Sequence, residues 1–406
     1  MNQELLRIVD NIARDKNIDK ESIFVDLEEA MVSAARKHFG EPESNIEVSI
    51  DRSTGQISAF KDDAKIDIKQ LGRIPAQTAK QVIIQKIRAD ERSSIFAEFA
   101  QRKGESISGT VVRYESGTLI VTLDRWTEGF MPKGEQIMGQ THRVGERIRC
   151  LILDVKETSN QVKIILSRTH PDFIRRLFEL EVPEINEKII EIRVLAREAG
   201  YRTKVAVASF DEKVDPVGAC VGVRGSRIKN IVDELGGEKI DIVRWNESSQ
   251  VLVSNALMPA KASEIALCFE LGRATVVVDE DQLSLAIGKH GQNVRLAARL
   301  TGWDIDILTP EEYNQGIETL TRCVKMVEGA DDTVIDKLIA LGVISIADME
   351  EVGAEPLVNE LKIDSDIAGR LVAAAVAESE RQAQEAKQNE AEKELAQQAK
   401  TTDEES

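Results

Sequence analysis

The sequence is poor in the residues that build disulfide frameworks and metal sites. It contains four cysteines and four histidines in 406 residues. The cysteines are Cys150, Cys220, Cys268 and Cys323. They are widely spaced and form no CxxC pair, which indicates reduced thiols in a cytoplasmic protein, not disulfides or a zinc site. The histidines are scattered as well, so we predict neither a metal site nor a cofactor.

Long apolar segments are also absent. No apolar run approaches the ~20 residues that are needed to span a bilayer. The N-terminus, Met1-Asn2-Gln3-Glu4, lacks the basic start and apolar core of a signal peptide. We therefore expect a cytoplasmic protein without a membrane partner. The length predicts several domains, and the composition, 42% hydrophobic and 31% charged, is typical of a soluble globular protein.

The net charge of −18 is distributed unevenly along the chain. Residues 311–406 contain 9 Lys/Arg and 23 Asp/Glu, a net charge of −14, whereas residues 101–175 contain 12 and 9, a net charge of +3. Most of the excess acid therefore lies at the C-terminal end. The remaining chain is nearly neutral, so its contacts with nucleic acid must come from local clusters of cations.

A GxxG tetrapeptide occurs twice in the middle of the chain, in matching surroundings. The copies are Gly222-Val223-Arg224-Gly225 and Gly288-Lys289-His290-Gly291. Each follows a short apolar stretch and precedes an amphipathic helix that carries cations. A short strand, Ile240-Asp241-Ile242 or Ile305-Asp306-Ile307, begins 18 or 17 residues after the first glycine. A repeat of about 66 residues with the same internal order predicts two copies of one module.

The chemistry of this pattern favours phosphate binding. Glycines let the backbone come close to a ligand and leave N–H groups exposed, and the following helix directs its positive dipole end to the same place. The predicted RNA-binding residues are Gly222, Val223, Arg224, Gly225, Arg227, Lys229, Gly288, Lys289, His290, Gly291, Gln292 and Arg295. A helical hairpin that needs glycine only for tight packing is the usual alternative for a single GxxG, but two copies in register disfavour it.

The order strand, strand, helix, GxxG, helix, strand resembles the type II KH domain. Such a domain holds about four nucleotides of single-stranded nucleic acid. Almost no linker separates the two copies, so we expect them to pack as one rigid RNA-binding surface.

The preceding segment, residues 103–170, contains five short strand-like runs. Its Gly-Thr-Val start, its middle Glu128-Gly129-Phe130-Met131-Pro132 and its ending Ile164-Ile165-Leu166-Ser167-Arg168 resemble the S1 domain, a five-stranded OB-type barrel. Barrels of this type stack bases on aromatic side chains and follow phosphates with cations. The candidates by position are Arg113, Tyr114, Trp126, Phe130, Lys163 and Arg168. For each of them, core packing or an ordinary solvated position is an equally good interpretation.

We predict a multidomain α+β protein without catalytic activity. The predicted segments are 1–102, a small N-terminal α/β domain with a long connector helix; 103–170, an S1 barrel; 182–246 and 248–310, two tandem type II KH domains; 316–377, an acidic module resembling helix-hairpin-helix units; and 378–406, a charged low-complexity tail. No part of the N-terminal domain has catalytic spacing. The acidic surroundings of the C-terminal module disfavour contact with a nucleic-acid backbone.

This order of domains resembles the NusA family of bacterial transcription elongation and termination factors. The resemblance covers about residues 1–370. The stretches that carry it most specifically are Ala76 to Arg92, Ser167-Arg168-Thr169-His170-Pro171, Asp215-Pro216-Val217-Gly218-Ala219-Cys220-Val221-Gly222, and Leu285-Ala286-Ile287-Gly288-Lys289-His290-Gly291-Gln292-Asn293-Val294-Arg295-Leu296-Ala297.

The resemblance implies a function and partners. Its N-terminal domain would bind RNA polymerase near the RNA exit channel, and its S1 and KH domains would hold single-stranded nascent RNA. The protein would then modulate pausing, intrinsic termination and antitermination, together with other antitermination factors. We expect a monomer.

Two alternatives and one departure from the family remain open. The same domains would suit a factor in translation or ribosome assembly, or a non-catalytic part of an RNA-processing machine. Some family members carry two acidic C-terminal repeats, but this sequence has about one. It does not show whether the acidic C-terminus contacts the polymerase α subunit or competes with RNA and autoinhibits binding. It also gives no RNA sequence preference.

Overall fold

A computed structural model describes residues 6–7, 9–10, 13–14, 19–39, 46–61, 64–66, 73–124, 127–158, 161–382 and 384. The chain forms two compact units, Met1–Phe173 and Ile174–Ser406. Within the described ranges, no helix combines the length and the apolar character needed to cross a bilayer. Of the predicted tail, residues 378–406, the structure describes only residues 378–382 and 384.

In the N-terminal part of the first unit, a helix packs on a small sheet. Its elements are α1 (Lys20–Phe39), β1 (Ile46–Ile50), β2 (Ile57–Lys61), β3 (Ala64–Ile66) and α2 (Arg73–Gln101). The strands form an antiparallel sheet in the order β1-β2-β3. Alternate residues of β1 are buried, so this strand presents one face to the core. Ile23, Phe24, Leu27 and Ile50 are among the residues of that core.

The rest of the first unit is a closed five-stranded barrel. Its strands are β4 (Ser106–Glu115), β5 (Thr118–Thr122), β6 (Glu128–Met131), β7 (Arg147–Glu157) and β8 (Val162–Ser167), in the order β4-β5-β6-β8-β7. Gly109 and Gly129 are required inside it, because a Cβ atom would lie 2.5 Å from Val121 Cγ1 or Leu166 Cδ1. Phe99 and Ile95, near the end of α2, pack against the barrel core. Residues 95–99 of the connector helix therefore belong to the hydrophobic core of the barrel.

The second unit contains two modules with the same order of elements. The helix α3 (Pro171–Glu181) spans the boundary between the units. The elements of the first module are α4 (Pro183–Asn186), β9 (Ile190–Glu198), β10 (Arg202–Ser209), α5 (Pro216–Val221), α6 (Ser226–Glu234) and β11 (Lys239–Arg244). Those of the second are α7 (Ser249–Leu257), β12 (Glu264–Cys268), β13 (Arg273–Val277), α8 (Glu280–Ile287), α9 (Gln292–Thr301) and β14 (Asp304–Leu308). In each sheet the middle strand pairs with one neighbour antiparallel and with the other parallel.

The two modules share a hydrophobic core. On β10, Val205 and Val207 alternate with Lys204 and Ala206, so the strand has two buried faces. Ala206, together with Ala196 and Val243, packs in one cluster with residues of α7 and α9 from the second module. The second module thereby covers the outer face of the first sheet.

The C-terminal module covers the second sheet in the same way. Its helices are α10 (Pro310–Lys325), α11 (Asp332–Ala340), α12 (Ile346–Val352) and α13 (Ala354–Leu361), followed by helical residues 365–382. Val277 packs with Tyr313 and Ile344 of this module, whereas its neighbour Val276 faces α8 and α9. Gly342 lies so close to β12 that a Cβ atom there would be 2.4 Å from the carbonyl oxygen of Leu267. The module is therefore built directly onto the second sheet.

The predicted fold class is confirmed: the protein is a multidomain α+β chain with a five-stranded barrel and two tandem KH-type modules. The sequence analysis did not assign the helix α7, which begins the second module, and it treated the acidic helices as a separate region. Both omissions have one cause, because each region packs against a neighbouring module that only the tertiary fold reveals. Leu252 and Val253 of α7 pack against the first module, and Tyr313 and Ile344 of the acidic helices pack against the second sheet.

Candidate nucleic-acid interface

The two GxxG loops have the same backbone conformation. Their first glycines, Gly222 and Gly288, have φ/ψ angles of 75°/175° and 72°/174°. The third residues, Arg224 and His290, both have φ of 53°, which is uncommon for a residue that has a side chain. Chain segments of different sequence thus adopt one unusual geometry. Unusual backbone conformations of this kind cluster at ligand sites.

The first glycine of each loop is required by close packing. A Cβ atom on Gly222 would lie 2.8 Å from Cγ of Arg227, and one on Gly288 would lie 2.7 Å from Cβ of Asn293. Both contacts come from the residue five positions later. No side chain fits at the first glycine of either loop.

Arg227 and Asn293, each five positions after the first glycine of its loop, have equivalent roles. Nη1 of Arg227 donates to the carbonyl oxygen of Ala219 at 2.7 Å. Nδ2 of Asn293 donates to the carbonyl oxygen of Leu285 at 3.2 Å. Ala219 and Leu285 both lie three residues before the first glycine, so each side chain holds the end of the preceding helix against the loop.

The loop glycines use their own N–H groups inside the loop. Gly225 N–H donates to the carbonyl oxygen of Gly222 at 3.1 Å, and Gly291 N–H donates to that of Gly288 at 3.2 Å. The expectation that glycine N–H groups are exposed is therefore wrong for these two groups. Side-chain cations and the start of the following helix remain the available donors.

Four exposed cations surround the loops without carboxylate partners in the described part of the chain. They are Arg224, Lys229, Lys289 and His290. Apolar side chains lie beside them, with Val223 82% exposed and Leu285 48% exposed. Free cations next to exposed apolar surface suit an unstacked nucleic-acid strand, whose phosphates need positive charge and whose bases need apolar contact.

The remaining predicted KH residues stabilise the loops. Arg227 is half-buried, and its Nη1 lies 2.8 Å from Oε2 of Glu184. Arg295 Nε and Gln292 Nε2 donate to the carboxylate of Glu198 at 2.6 Å and 2.9 Å. The ion pair with Arg295 lowers the pKa of Glu198 below its usual value of 4.5. The two hydrogen bonds to Glu198 fix the second loop against the first module.

The barrel candidates are spread over different environments. Arg113 makes a bidentate contact with Glu128, with N–O distances of 2.6 Å and 3.1 Å. Its hydrogen bonds to the carboxylates of Glu128 and Glu115 raise the pKa of Arg113. Tyr114 is 46% exposed, and its hydroxyl donates to the carbonyl oxygen of His142 at 3.2 Å. Phe130 is half-buried, Lys163 is exposed, and Trp126 lies outside the described residues.

Arg168 lies in the interior, at 2% exposure. Its Nη1 donates to the carbonyl oxygen of Arg149 at 2.6 Å, and its guanidinium lies 5.3 Å from the ring centroid of Phe173. These contacts hold the end of the barrel together, so we leave Arg168 out of the RNA-binding set that we propose.

Comparison with known proteins identifies the family. Residues 168–245 match the family model of the NusA-like first KH domain, residues 249–315 that of the NusA-like second KH domain, and residues 4–64 and 60–93 that of the NusA N-terminal domain. A protein from Halalkalibacterium halodurans, the transcription termination/antitermination protein NusA, is 40% identical over 347 residues, which cover 78% of this chain and 90% of that relative. This chain belongs to the NusA family.

Other NusA proteins show the same relationship. The one from Bacillus subtilis is 40% identical over 339 residues, covering 76% of this chain and 91% of its own length. The one from Rickettsia conorii is 37% identical over 378 residues, covering 84% of this chain and 75% of its own.

The sequence analysis of this NusA-family chain missed two residues of the site, Asn293 and Glu198. Asn293 is fully buried, and Glu198 lies at the end of β9 in the first module. Aligning the two copies on their glycines would have placed Asn293 opposite Arg227. No local signal points to Glu198, because its partners lie 94 and 97 residues away.

Proposed function

We propose that this chain is an RNA-binding transcription factor that acts in termination and antitermination. The two GxxG loops would bind single-stranded nascent RNA, and residues 1–102 would bind RNA polymerase. The main support is the shared geometry of the loops, each with free cations beside exposed apolar side chains. The names of the NusA relatives support the process in which it takes part.

In this proposal the cations of each loop bind the phosphates of the RNA. Arg224 and Lys229 would serve the first loop, and Lys289 and His290 the second. Arg227, Gln292 and Arg295 would act indirectly, because their side chains already hold the loops in place. Removal of one cation that binds a phosphate should reduce the slope of log K against log salt by about 0.7 for a single strand.

The test is the lifetime of a hairpin-stabilised pause, and the efficiency of intrinsic termination, with the cognate RNA polymerase. We expect the intact protein to lengthen the pause. The double variant Lys289→Asp/His290→Asp should weaken this effect. Lys261→Asp reverses an exposed charge outside the loops and serves as the matched control.

Two results would contradict the proposal. If the intact protein changes neither pausing nor termination, transcription is not its primary process, and a role at the ribosome becomes the better explanation. If the loop variant and the control behave alike, the loops do not hold the RNA.

A further inference from the structure

The first unit contains a pocket between the connector helix and the outside of the barrel. Its volume is about 280 Å³. Arg88, Glu91, Arg92 and Ile95 line it from the helix, and Glu128 and Phe130 line it from β6. The helix residues recur at intervals of three and four, so they share one face of α2. Residues 161–162, at the start of β8, close the pocket.

Phe130 points away from the barrel core. Its neighbours Gly129 and Met131 are buried in the barrel, whereas Phe130 and Glu128 are only partly buried. In OB-type barrels, the second and third strands and the loop between the fourth and fifth strands form the ligand face. Here these parts are β5, β6 and the turn before β8. Phe130 therefore occupies a position where a base can stack.

The two arginines of the pocket are cations without a carboxylate partner in the described residues. They lie four residues apart, an arrangement of like charges that destabilises a helix. Arg102, the first residue after this helix, has Glu98 and Glu105 within ion-pair distance. Among the described residues, carboxylate partners are therefore present at the end of the connector helix but not at Arg88 and Arg92, so the charge of these two arginines is available to a ligand.

One hydrogen-bond donor of Arg92 is buried and has no partner among the described residues. Nε of Arg92 is inaccessible to solvent and has no hydrogen-bond acceptor among the described residues. A buried donor without an acceptor costs free energy, so the described residues leave this donor of Arg92 unused. The carboxylate of Glu128 is held by Arg113 at 2.6 Å and 3.1 Å, and the other acid of the lining, Glu91, has an interaction of its own.

We propose that this pocket binds one nucleotide of single-stranded RNA, with its base on Phe130 and a phosphate between Arg88 and Arg92. The volume is close to the lower end of the ~300–1,000 Å³ range of small-molecule pockets, which suits one nucleotide and not a longer segment. This inference rests on the proposed RNA-binding function. It extends the RNA site of the barrel onto the connector helix, so that α2 both fills the end of the barrel and contacts the ligand.

The experiment uses the full chain and a short, unstructured single-stranded RNA that contains 4-thiouridine. The variants are Arg88→Glu/Arg92→Glu and Phe130→Ala. Arg147→Glu, at an exposed position of β7 that does not line the pocket, is the charge-matched control. Affinity is measured over a range of salt concentrations, and photo-crosslinked peptides are identified by mass spectrometry. Thermal unfolding shows whether each variant is folded.

We expect Phe130→Ala to weaken binding about tenfold, as the loss of one stacked base does. The double arginine variant should also bind less tightly, with a log–log salt slope reduced by about 0.7, because the two arginines share one phosphate. Arg88→Lys/Arg92→Lys should keep most of that slope because it keeps the charge. Crosslinks should fall within residues 88–95 or 127–131. Arg147→Glu should behave as the unmodified protein does.

Unchanged affinity and salt slope in the folded double arginine variant would overturn the inference. If Lys289→Asp/His290→Asp still weakens RNA binding in that case, the proposed function stands without this pocket. Absence of RNA binding by the unmodified protein would remove both. An acidic peptide of residues 385–406 that binds the unmodified pocket, with RNA unaffected by the arginine variants, would assign the pocket to a peptide ligand.

Discussion

Nη1 of Arg273 lies 2.9 Å from Oδ1 of Asp348, and this ion pair joins the second KH sheet to the C-terminal module. Glu351 lies 2.9 Å from Nη2 of the same arginine, and Asp306 lies 3.3 Å from Nε. Arg202 and Asp241 form the equivalent pair in the first module, at 2.7 Å. In the second module, the half-buried Arg273 therefore has additional carboxylate partners from the module that covers the sheet.

Replacing Arg273 should destabilise the second unit. Arg273→Ala would leave Asp348, which is 8% exposed, without its cation and close to Asp306. The loss of one partner from a buried pair costs about 3 kcal/mol. Urea unfolding of the full chain provides the measurement. Arg322→Ala is the control, because Arg322 is 54% exposed and Glu378 keeps a second cation, Arg381; it should cost about 1 kcal/mol or less. Equal effects of the two substitutions would contradict the structural role of Arg273.

Truncation separates the two acidic parts of the C-terminus. Residues 311–384 carry 6 Lys/Arg and 16 Asp/Glu, whereas residues 385–406 carry 3 and 7. Deleting residues 311–406 would expose Val277 and Leu308 of the second sheet, so we expect a lower unfolding temperature and a tendency to associate. Deleting only residues 385–406 leaves Val277 and Leu308 covered, so we expect a smaller change in the unfolding temperature.

The shorter deletion also tests autoinhibition, because it leaves the second sheet covered. If residues 385–406 compete with RNA, their removal should tighten RNA binding, and most strongly at low salt. Equal affinity at low salt would show that these residues do not compete. RNA affinity and unfolding should be measured on the same preparations.

The glycines of the second loop should differ in their tolerance of alanine. Gly288→Ala introduces a Cβ atom 2.7 Å from Asn293, whereas at Gly291 no atom of the described residues lies within 4 Å of the added Cβ. Both positions have positive φ, which costs a residue with a side chain about 1–2 kcal/mol. We therefore expect Gly291→Ala to cost about 1 kcal/mol and Gly288→Ala at least twice as much. Denaturant unfolding measures the difference, and a larger effect at Gly291 would contradict the packing argument.

Acid should weaken the contact between the two modules. The pKa of Glu198 is lowered by its ion pair with Arg295, so the ionised carboxylate stabilises the folded state. That contribution is complete above the ordinary pKa of 4.5 and is lost as the pH falls through the lower folded-state value. Glu198→Gln should reduce the unfolding midpoint at neutral pH and have little effect in strong acid. Glu247→Gln, at an exposed position, is the control. A loss that does not depend on pH would argue against the ion pair.

The sequence predicted local features, such as the loops, better than the tertiary contacts of individual side chains. Both GxxG loops were located correctly because glycine spacing and the flanking apolar and cationic residues are local signals. Arg168 was a reasonable candidate by its position after the last barrel strand, but its burial depends on Phe173 and Arg149, which the barrel brings together. Arg88 and Arg92 were missed because nothing in a helical pattern indicates that β6, which begins 36 residues after Arg92, faces them. Recognition of paired or buried cations thus required the tertiary structure.

The covering of each KH sheet by later residues sets an order for folding during synthesis. The outer face of the first sheet, which includes Ala206, stays open until the helices α7 and α9 have been made. The face of the second sheet that includes Val277 stays open until the C-terminal module has been made. Each module therefore leaves the ribosome with one apolar face uncovered, and only the last acidic helices complete the unit. In this chain, the acidic helices after residue 310 therefore decide when the unit that carries the two GxxG loops is finished.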